Sequence, residues 1–258
     1  MITVFKIGGN VIDSPETLSP FLSYLSGLES PFVLIHGGGK IASELMNRMG
    51  IKPVMVDGRR VTDMEALEVV TMVYGGLINK QIVAELQKNG CNAIGITGAD
   101  GNCILATKRA AGKVDYGYVG DVSPKNVNAP LLKSFLDLGL IPVVAPLTHD
   151  GNGSILNTNA DTVASSVACG LASLTPVRLV FCFEKNGVLN DPEDNNSVIE
   201  YIDRDLFSEL KENGVVSAGM LPKLENAFTA IDYGVKEVVI CGIRAFDREN
   251  PVKGTTIR

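Results

Sequence analysis

The sequence predicts an α/β protein: a mostly parallel sheet with helices on both faces. Short apolar runs alternate along the chain with amphipathic stretches of helical period, the order of repeated strand–helix units. Runs such as Phe32–His36 and Val177–Phe183 lack the period-two alternation of a half-solvated strand, which fits strands buried on both sides. At 258 residues the chain is long enough for one continuous sheet covered on both faces.

The elements follow in order. Ile2–Ile7 reads as a buried strand. Residues 16–28 read as a helix, with Ser14 as N-cap and Pro15 at its first position. Phe32–His36 is a second strand that runs into Gly37-Gly38-Gly39. Residues 40–49 form a helix closed by Gly50, and Val54–Val56 starts a hairpin with residues 60–62. Asp63 caps a long helical region, expected to break near Gly75-Gly76 and resume to about residue 88. Residues 92–96 are a strand, and residues 103–108 with 116–121 a hairpin rich in Gly and Tyr. A helix at 131–138, a strand at 141–145, a helix at 159–171 and the strand Val177–Phe183 come next. Helices at 206–213 and 220–233 precede a last core strand at 237–241. There is no internal repeat and no low-complexity linker. A functional division is placed near residues 175–177, giving lobes 1–175 and 176–258 on one sheet.

Composition narrows the function. Acidic residues outnumber basic ones, 29 to 23, and no lysine/arginine-rich run occurs. A nucleic-acid partner is therefore excluded, because phosphate-backbone affinity needs a basic stripe, while a pocket for a small anion is not. The five cysteines (Cys91, Cys103, Cys169, Cys182, Cys241) are odd in number and form no C-x-x-C pair, so they read as small buried residues in a reducing compartment. Two histidines, His36 and His149, exclude a His-rich metal site. The N-terminus has no basic n-region, and no stretch approaches the ~20 apolar residues of a membrane span. A cytoplasmic enzyme without a membrane partner is expected.

Five clusters carry chemistry. Lys6-Ile7-Gly8-Gly9-Asn10 ends the first strand. Alternation puts Lys6 and Gly8 on one side, and the glycines let backbone N–H groups approach an anion. The plainer use is a solvated lysine and a Gly-Gly turn. His36-Gly37-Gly38-Gly39 opens a helix, where exposed N–H groups and the macrodipole favour negative charge. A simple strand–helix turn needs fewer glycines. Asp57-Gly58-Arg59-Arg60-Val61-Thr62-Asp63 offers two guanidinium groups suited to a carboxylate, one of them read as a surface residue. Asn157-Thr158-Asn159-Ala160-Asp161 opens another helix; its polar residues serve as caps or hold a substrate and orient lysines. Finally, Gly219-Met220-Leu221-Pro222-Lys223 puts a lysine in a first helical turn, against the helix dipole.

Two nucleotide signatures compete for the second cluster. Gly37-x-Gly39-x-x-Ala42, with Asp57 eighteen residues beyond Gly39, matches the relaxed dinucleotide fingerprint. That reading leaves Lys6, Asp161 and Lys223 without a role, and it puts the fingerprint after the second strand. A P-loop is excluded: Lys40 is followed by Ile41, and the leading glycine is missing.

In order and spacing, the five clusters together resemble the amino-acid kinase family, and within it the kinases of acylated glutamate. The resemblance covers nearly the whole chain. It implies a three-layer αβα sandwich around an eight-stranded, mostly parallel sheet. It further implies ATP-dependent phosphorylation of the side-chain carboxylate of an N-acyl-L-glutamate, in arginine biosynthesis, by a homodimer whose N-terminal lobe binds the acceptor. In that scheme Lys6 and Lys223 neutralise the phosphoryl group in flight, Asp161 holds both lysines, and N–H groups around Gly9 and Gly38 add stabilisation. Gly38, Gly39, Arg60, Asn157 and Asn159 hold the acceptor. ATP lies along Glu184, Lys185, Asn186, Gly187, Val188 and Leu189 and along Val215, Val216 and Ser217, with Mg2+ bridging its phosphates and no protein metal ligand.

Two positions depart from the family pattern. Glu184 stands where aspartate is usual. Arg59 stands where leucine is common, so it either points to solvent or pairs with a second carboxylate on a longer acyl group such as succinyl. Arginine-inhibited members carry a further N-terminal helix; with the first strand starting at residue 2, a homodimer without arginine feedback is expected. Acceptors such as glutamate, aspartate, carbamate or a nucleoside monophosphate, and a catalytically silent amino-acid sensor, are the other readings.

Overall fold

The computed structural model describes residues 1–191, 193–214, 216, 220–243, 246 and 254–258. In chain order the first third comprises β1 (Ile2–Ile7), α1 (Gly9–Ile12), α2 (Pro15–Ser26), β2 (Phe32–His36), α3 (Gly39–Arg48), β3 (Val54–Val56), β4 (Arg59–Val61), α4 (Met64–Val70), a π-helical segment (Thr71–Ile78) and α5 (Asn79–Lys88). The middle comprises β5 (Ala93–Ile96), β6 (Thr107–Lys108), β7 (Gly120–Asp121), α6 (Ala129–Asp137), β8 (Ile141–Val144), β9 (Leu147–His149), β10 (Ile155–Asn157) and α7 (Ala160–Ala172). The rest comprises β11 (Val177–Phe183), β12 (Tyr201–Ile202), α8 (Arg204–Glu212), α9 (Leu221–Asp232), β13 (Glu237–Gly242) and β14 (Gly254–Ile257).

Eight strands form the main sheet in the order β12-β14-β13-β11-β1-β2-β8-β5. The six from β13 to β5 are parallel, and β14 runs antiparallel to β13. The central strand β1 pairs with β2 on one side and β11 on the other, so that Lys6 stands between Ile35 and Phe181. The fold is therefore the eight-stranded, mostly parallel sheet that was expected.

Alternation along these strands divides the core into two layers. Val4, Ile35, Val144, Leu179 and Ile240 face α6, α7 and α9, whereas Phe5, Leu34, Val143, Val180 and Val239 face α2, α3 and α5. Helices thus cover both faces, as buried parallel strands require. All five cysteines are free and buried in these layers. Among the described residues no helix is long and apolar enough to cross a membrane.

Caps set several helix starts. The Asp63 carboxylate accepts from Ala66 N at 2.8 Å, the Asn128 side chain from Leu131 N at 3.2 Å, and Asp203 from Leu206 N at 2.9 Å. Ser14 precedes Pro15 as expected, but its hydroxyl lies against Thr17 Oγ1 and makes no capping bond. The Gly75-Gly76 pair does not break the long helix. Instead the helix widens to π geometry over Thr71–Ile78, and Gly75 passes close to Leu147. The Gly/Tyr-rich hairpin is shorter than expected, with only Thr107–Lys108 and Gly120–Asp121 paired. The β9–β10 hairpin, the edge strand β12 and its neighbour β14 were not anticipated.

Candidate active site

Helices on opposite faces leave the sheet from neighbouring strands: α3 follows β2 on one face, while α7 follows the β8–β10 region on the other. Such a divergence opens a crevice at the carboxyl ends of the strands. Lys6 points to the α7 face from the end of β1, with its Nζ beside Gly8. Asp161 sits in the first turn of α7, whose N-cap is Asn159: the Asn159 Oδ1 accepts from the N–H groups of Asp161 and Thr162, at 2.9 and 3.0 Å. Lys223 comes from the first turn of α9.

These three side chains meet. Lys6 Nζ lies 2.7 Å from Asp161 Oδ1, and Lys223 Nζ donates to Asp161 Oδ2 at 2.7 Å. Burial by itself would raise the Asp161 carboxyl, but the Lys6 and Lys223 ammonium groups outweigh it and hold it down to about 2. One carboxylate therefore fixes two cations side by side, with a net charge of +1. That excess suits a mobile anion.

Across the crevice, Gly37, Gly38 and Gly39 line a cleft of about 210 Å³ together with Arg60, Tyr74, Asn157 and Asn159. Gly38 is the N-cap of α3 and has φ +150°. A Cβ there would stand 2.4 Å from Ile78 and 3.0 Å from the Tyr74 ring, so the position excludes a side chain.

Arg60 enters the cleft from β4 and is 6% exposed. Its Nη2 donates to Gly39 O at 2.8 Å and Ser43 Oγ at 2.7 Å, and its Nη1 approaches Met46 Sδ at 3.2 Å. Its Nε is buried without a partner, and no carboxylate pairs with it among the described residues. A buried guanidinium without an anion is unfavourable, and a bound carboxylate relieves it. Asn157 Nδ2 donates to Thr62 Oγ1 at 3.0 Å, which holds the amide against the same wall.

Comparison with known proteins settles the family. The model of the amino acid kinase family matches residues 1–242. The chain belongs to that family. It is 54% identical over 258 residues to an acetylglutamate kinase of Cytophaga hutchinsonii, covering 98% of this chain and 97% of that one. To an acetylglutamate kinase of Phocaeicola vulgatus it is 52% identical over 257 residues, covering 100% and 98%. Among solved structures, the crystal structure of smu.665 from Streptococcus mutans UA159 superposes with a TM-score of 0.78 at 30% identity, covering 99% of this chain and 98% of that one.

In this amino acid kinase the segment after β11 is built on backbone contacts. Glu184, Lys185 and Asn186 are exposed, and Asn186 Nδ2 donates to Asn195 O at 3.0 Å. Gly187 is closely packed by Val198 and Thr255. The Val188 side chain is 1% exposed in the core and its N–H donates to Thr255 Oγ1 at 2.8 Å, while Leu189 and Val216 are also buried. The Val188 carbonyl in turn accepts from the Ile199 N–H at 2.8 Å, so both backbone groups of Val188 are engaged within the fold. Val215 and Ser217, like Gly219, lie outside the described residues. Gly9 begins α1 directly after Gly8, and it is Gly8 that lies beside the Lys6 ammonium group.

Several residues of this family member's cleft were missed from the sequence. Tyr74 comes from the π-helical segment, and Arg109 and Asp121 come from the β6–β7 hairpin. Arg109 Nε donates to both Asp121 oxygens at 3.1 Å, and its guanidinium lies over the Tyr116 ring. Only the alternation of Tyr and Gly around residues 116–120 hinted at this wall. The dinucleotide fingerprint dissolves: Asp57 (φ 48°) and Gly58 (φ 72°) form the two-residue turn of the separate β3–β4 hairpin, so Asp57 does not end a strand of the main sheet.

Proposed function

We propose that the chain transfers the γ-phosphoryl group of ATP to the side-chain carboxylate of N-acetyl-L-glutamate, a step of arginine biosynthesis in the cytoplasm. The observation that carries this reading is the pair of lysine ammonium groups held 2.7 Å from the two oxygens of Asp161, where the strands end. Phosphoryl transfer asks a protein chiefly for positioning and for stabilisation of charge. Lys6 and Lys223 supply the positive charge, and Asp161 keeps them apart and aimed. A carboxylate oxygen of the acceptor forms the new P–O bond as the bond to ADP breaks, giving an acyl phosphate. The acceptor is already an anion, so no general base is required, and a carboxyl held down to about 2 is unsuited to be one.

Arg60 receives the α-carboxylate of the acceptor, with Asn157 and Asn159 on its amide and Gly38 and Gly39 beside the reacting group. The acetylglutamate kinases to which the chain is similar support this choice of acceptor. ATP lies along residues 184–189 and 215–217, and we assign its magnesium to the phosphates, with no protein ligand. Residues 1–175 then form the acceptor lobe and 176–258 the nucleotide lobe. Arg59, exposed at the rim of the cleft, decides between acetyl and a longer acyl group ending in a carboxylate, such as succinyl. Half-exposed Met64 and Met72 line a shallow depression with Tyr118 and Ile155, an apolar surface that supports a homodimer.

The test is ADP release from MgATP with N-acetyl-L-glutamate, N-succinyl-L-glutamate, free L-glutamate or no acceptor. Release that depends on an acylated glutamate is expected. Release with free glutamate alone, or with none, overturns the reading.

A further inference from the structure

His36 ends β2 immediately before the glycine cradle, and no part of the chemistry above employs it. It is fully buried, as is Asn79 at the start of α5. The two side chains join a network that spans three strand ends. His36 Nδ1 lies 2.7 Å from Gly37 O, and His36 Nε2 lies 3.2 Å from Asn79 Nδ2. Asn79 Nδ2 also donates to Val143 O at 2.9 Å. Lys80 Nζ donates to Asn79 Oδ1 at 3.1 Å and to Gly95 O at 2.9 Å.

The partners fix every proton. A main-chain carbonyl only accepts and an ammonium group only donates, so Val143 and Lys80 set the orientation of the Asn79 amide. Its nitrogen must then donate to His36 Nε2. The imidazole accepts there and carries its proton on Nδ1, from which it donates to Gly37 O. Burial lowers the imidazole to about 4, opposed by the Gly37 bond and aided by the Lys80 charge, so the ring is neutral near pH 7.

This bond has a consequence one atom further on. In a planar trans peptide the C=O of one residue and the N–H of the next point in opposite directions. The Gly37 carbonyl is held toward the imidazole, inside the sheet. The Gly38 N–H therefore points away from it, on the side of the cleft that Gly38 lines, and it makes no hydrogen bond among the described residues. The Gly37 N–H is held to Ile7 O at 3.0 Å, which ties the preceding His36–Gly37 peptide to the end of the Lys6 strand.

We infer that His36 is a positioning residue: held in one tautomer by Asn79, it clamps the Gly37 carbonyl and so aims the Gly38 N–H at the reacting group. The inference rests on the reading of the cleft as the site of phosphoryl transfer.

Two measurements test it. The first is long-range 1H–15N NMR of the imidazoles in the unmodified protein, with His149→Gln to assign the two rings. His36 should show a protonated Nδ1 and a bare Nε2 that do not titrate between pH 6 and 8. A protonated Nε2, or titration in that range, overturns the inference without any enzyme assay. The second compares His36→Asn, whose amide can still donate near the Nδ1 position, with His36→Gln, whose carbonyl can only replace the Nε2 contact. His36→Gln should lose roughly 10²-fold in kcat, the low end for a lost oxyanion donor, with KM for acceptor and ATP within about 3-fold. His36→Asn should recover most of that loss, although both variants give up one hydrogen bond and lose similar thermal stability. Equal kcat losses in the two variants, following their melting temperatures, overturn the inference. If the unmodified protein releases no ADP with any acceptor, the functional reading fails, while the tautomer result still stands on its own.

Discussion

Replacing Asp161 by Asn removes one charge and keeps the shape of the side chain. In the native protein each Asp161 oxygen sits 2.7 Å from a lysine Nζ. Two ammonium groups about 4–6 Å apart, at an effective dielectric of about 20, repel by roughly 3–4 kcal/mol when the charge between them is gone. A second route gives a similar size. The carboxyl falls from its ordinary 3.8 to about 2, a difference worth about 2–3 kcal/mol. Because the folded value is the lower one, this stability is fully present above about pH 4 and is lost as pH falls toward 2. Asp161→Asn should therefore unfold at lower urea concentration at pH 7, by about 2–3 kcal/mol, and the gap to the unmodified protein should close between pH 4 and 2. ADP release should fall by about 10²–10³ in kcat, while KM for the acceptor changes only a few-fold, because Arg60 and Asn157 are untouched. Equal stability at pH 7 together with near-normal kcat would refute the view that this carboxylate holds the lysines.

Three further outcomes follow from the cleft. Arg60→Gln should raise KM for the acceptor about 30-fold or more, and unliganded stability should fall by less than the ~3–5 kcal/mol of a broken buried ion pair, since among the described residues Arg60 has no carboxylate partner to strand; steady-state kinetics and urea titration check the two halves. Gly38→Ala forces a Cβ to 2.4 Å from Ile78 at φ +150°, so it should lose roughly 1–3 kcal/mol and most of its turnover, read by thermal melting and ADP release. Arg59→Leu should shift relative activity from N-succinyl- toward N-acetyl-L-glutamate without altering stability; an unchanged ratio removes Arg59 from acyl selection.

The parts of the site that were legible in the sequence are those encoded by local spacing. Lys6 precedes its glycines on one strand, three glycines open α3, and Asn159 and Asp161 share one helix start. That Lys6, Asp161 and Lys223 converge depends on α7 and α9 packing on one face of the sheet, which strand order alone did not reveal. Tyr74 and Arg109 were hidden for a related reason: each reaches the cleft through contacts distant in the chain, and neither sits in a motif. Asp57 shows the opposite failure, since its spacing imitated a ribose-binding acid although it occupies a left-handed hairpin turn. The strands β12 and β14 are short, and partner pairing rather than an apolar run defines them. The expected helix break at Gly75-Gly76 weighed glycine propensity over packing, and packing prevailed.

The π-helical segment Thr71–Ile78 also bears on how the chain tolerates changes in length. An i→i+5 loop holds one residue more than an i→i+4 loop, so the segment absorbs a surplus residue within an otherwise α-helical rod. Asp63 anchors one end of the rod, accepting from the Ala66 N–H, and Asn79 the other, donating to the Val143 carbonyl. Gly76 has open space around it, so it is the natural residue to remove. A one-residue deletion there is expected to move Tyr74 relative to Gly38, so the floor of this cleft can be re-cut by an indel rather than by a substitution.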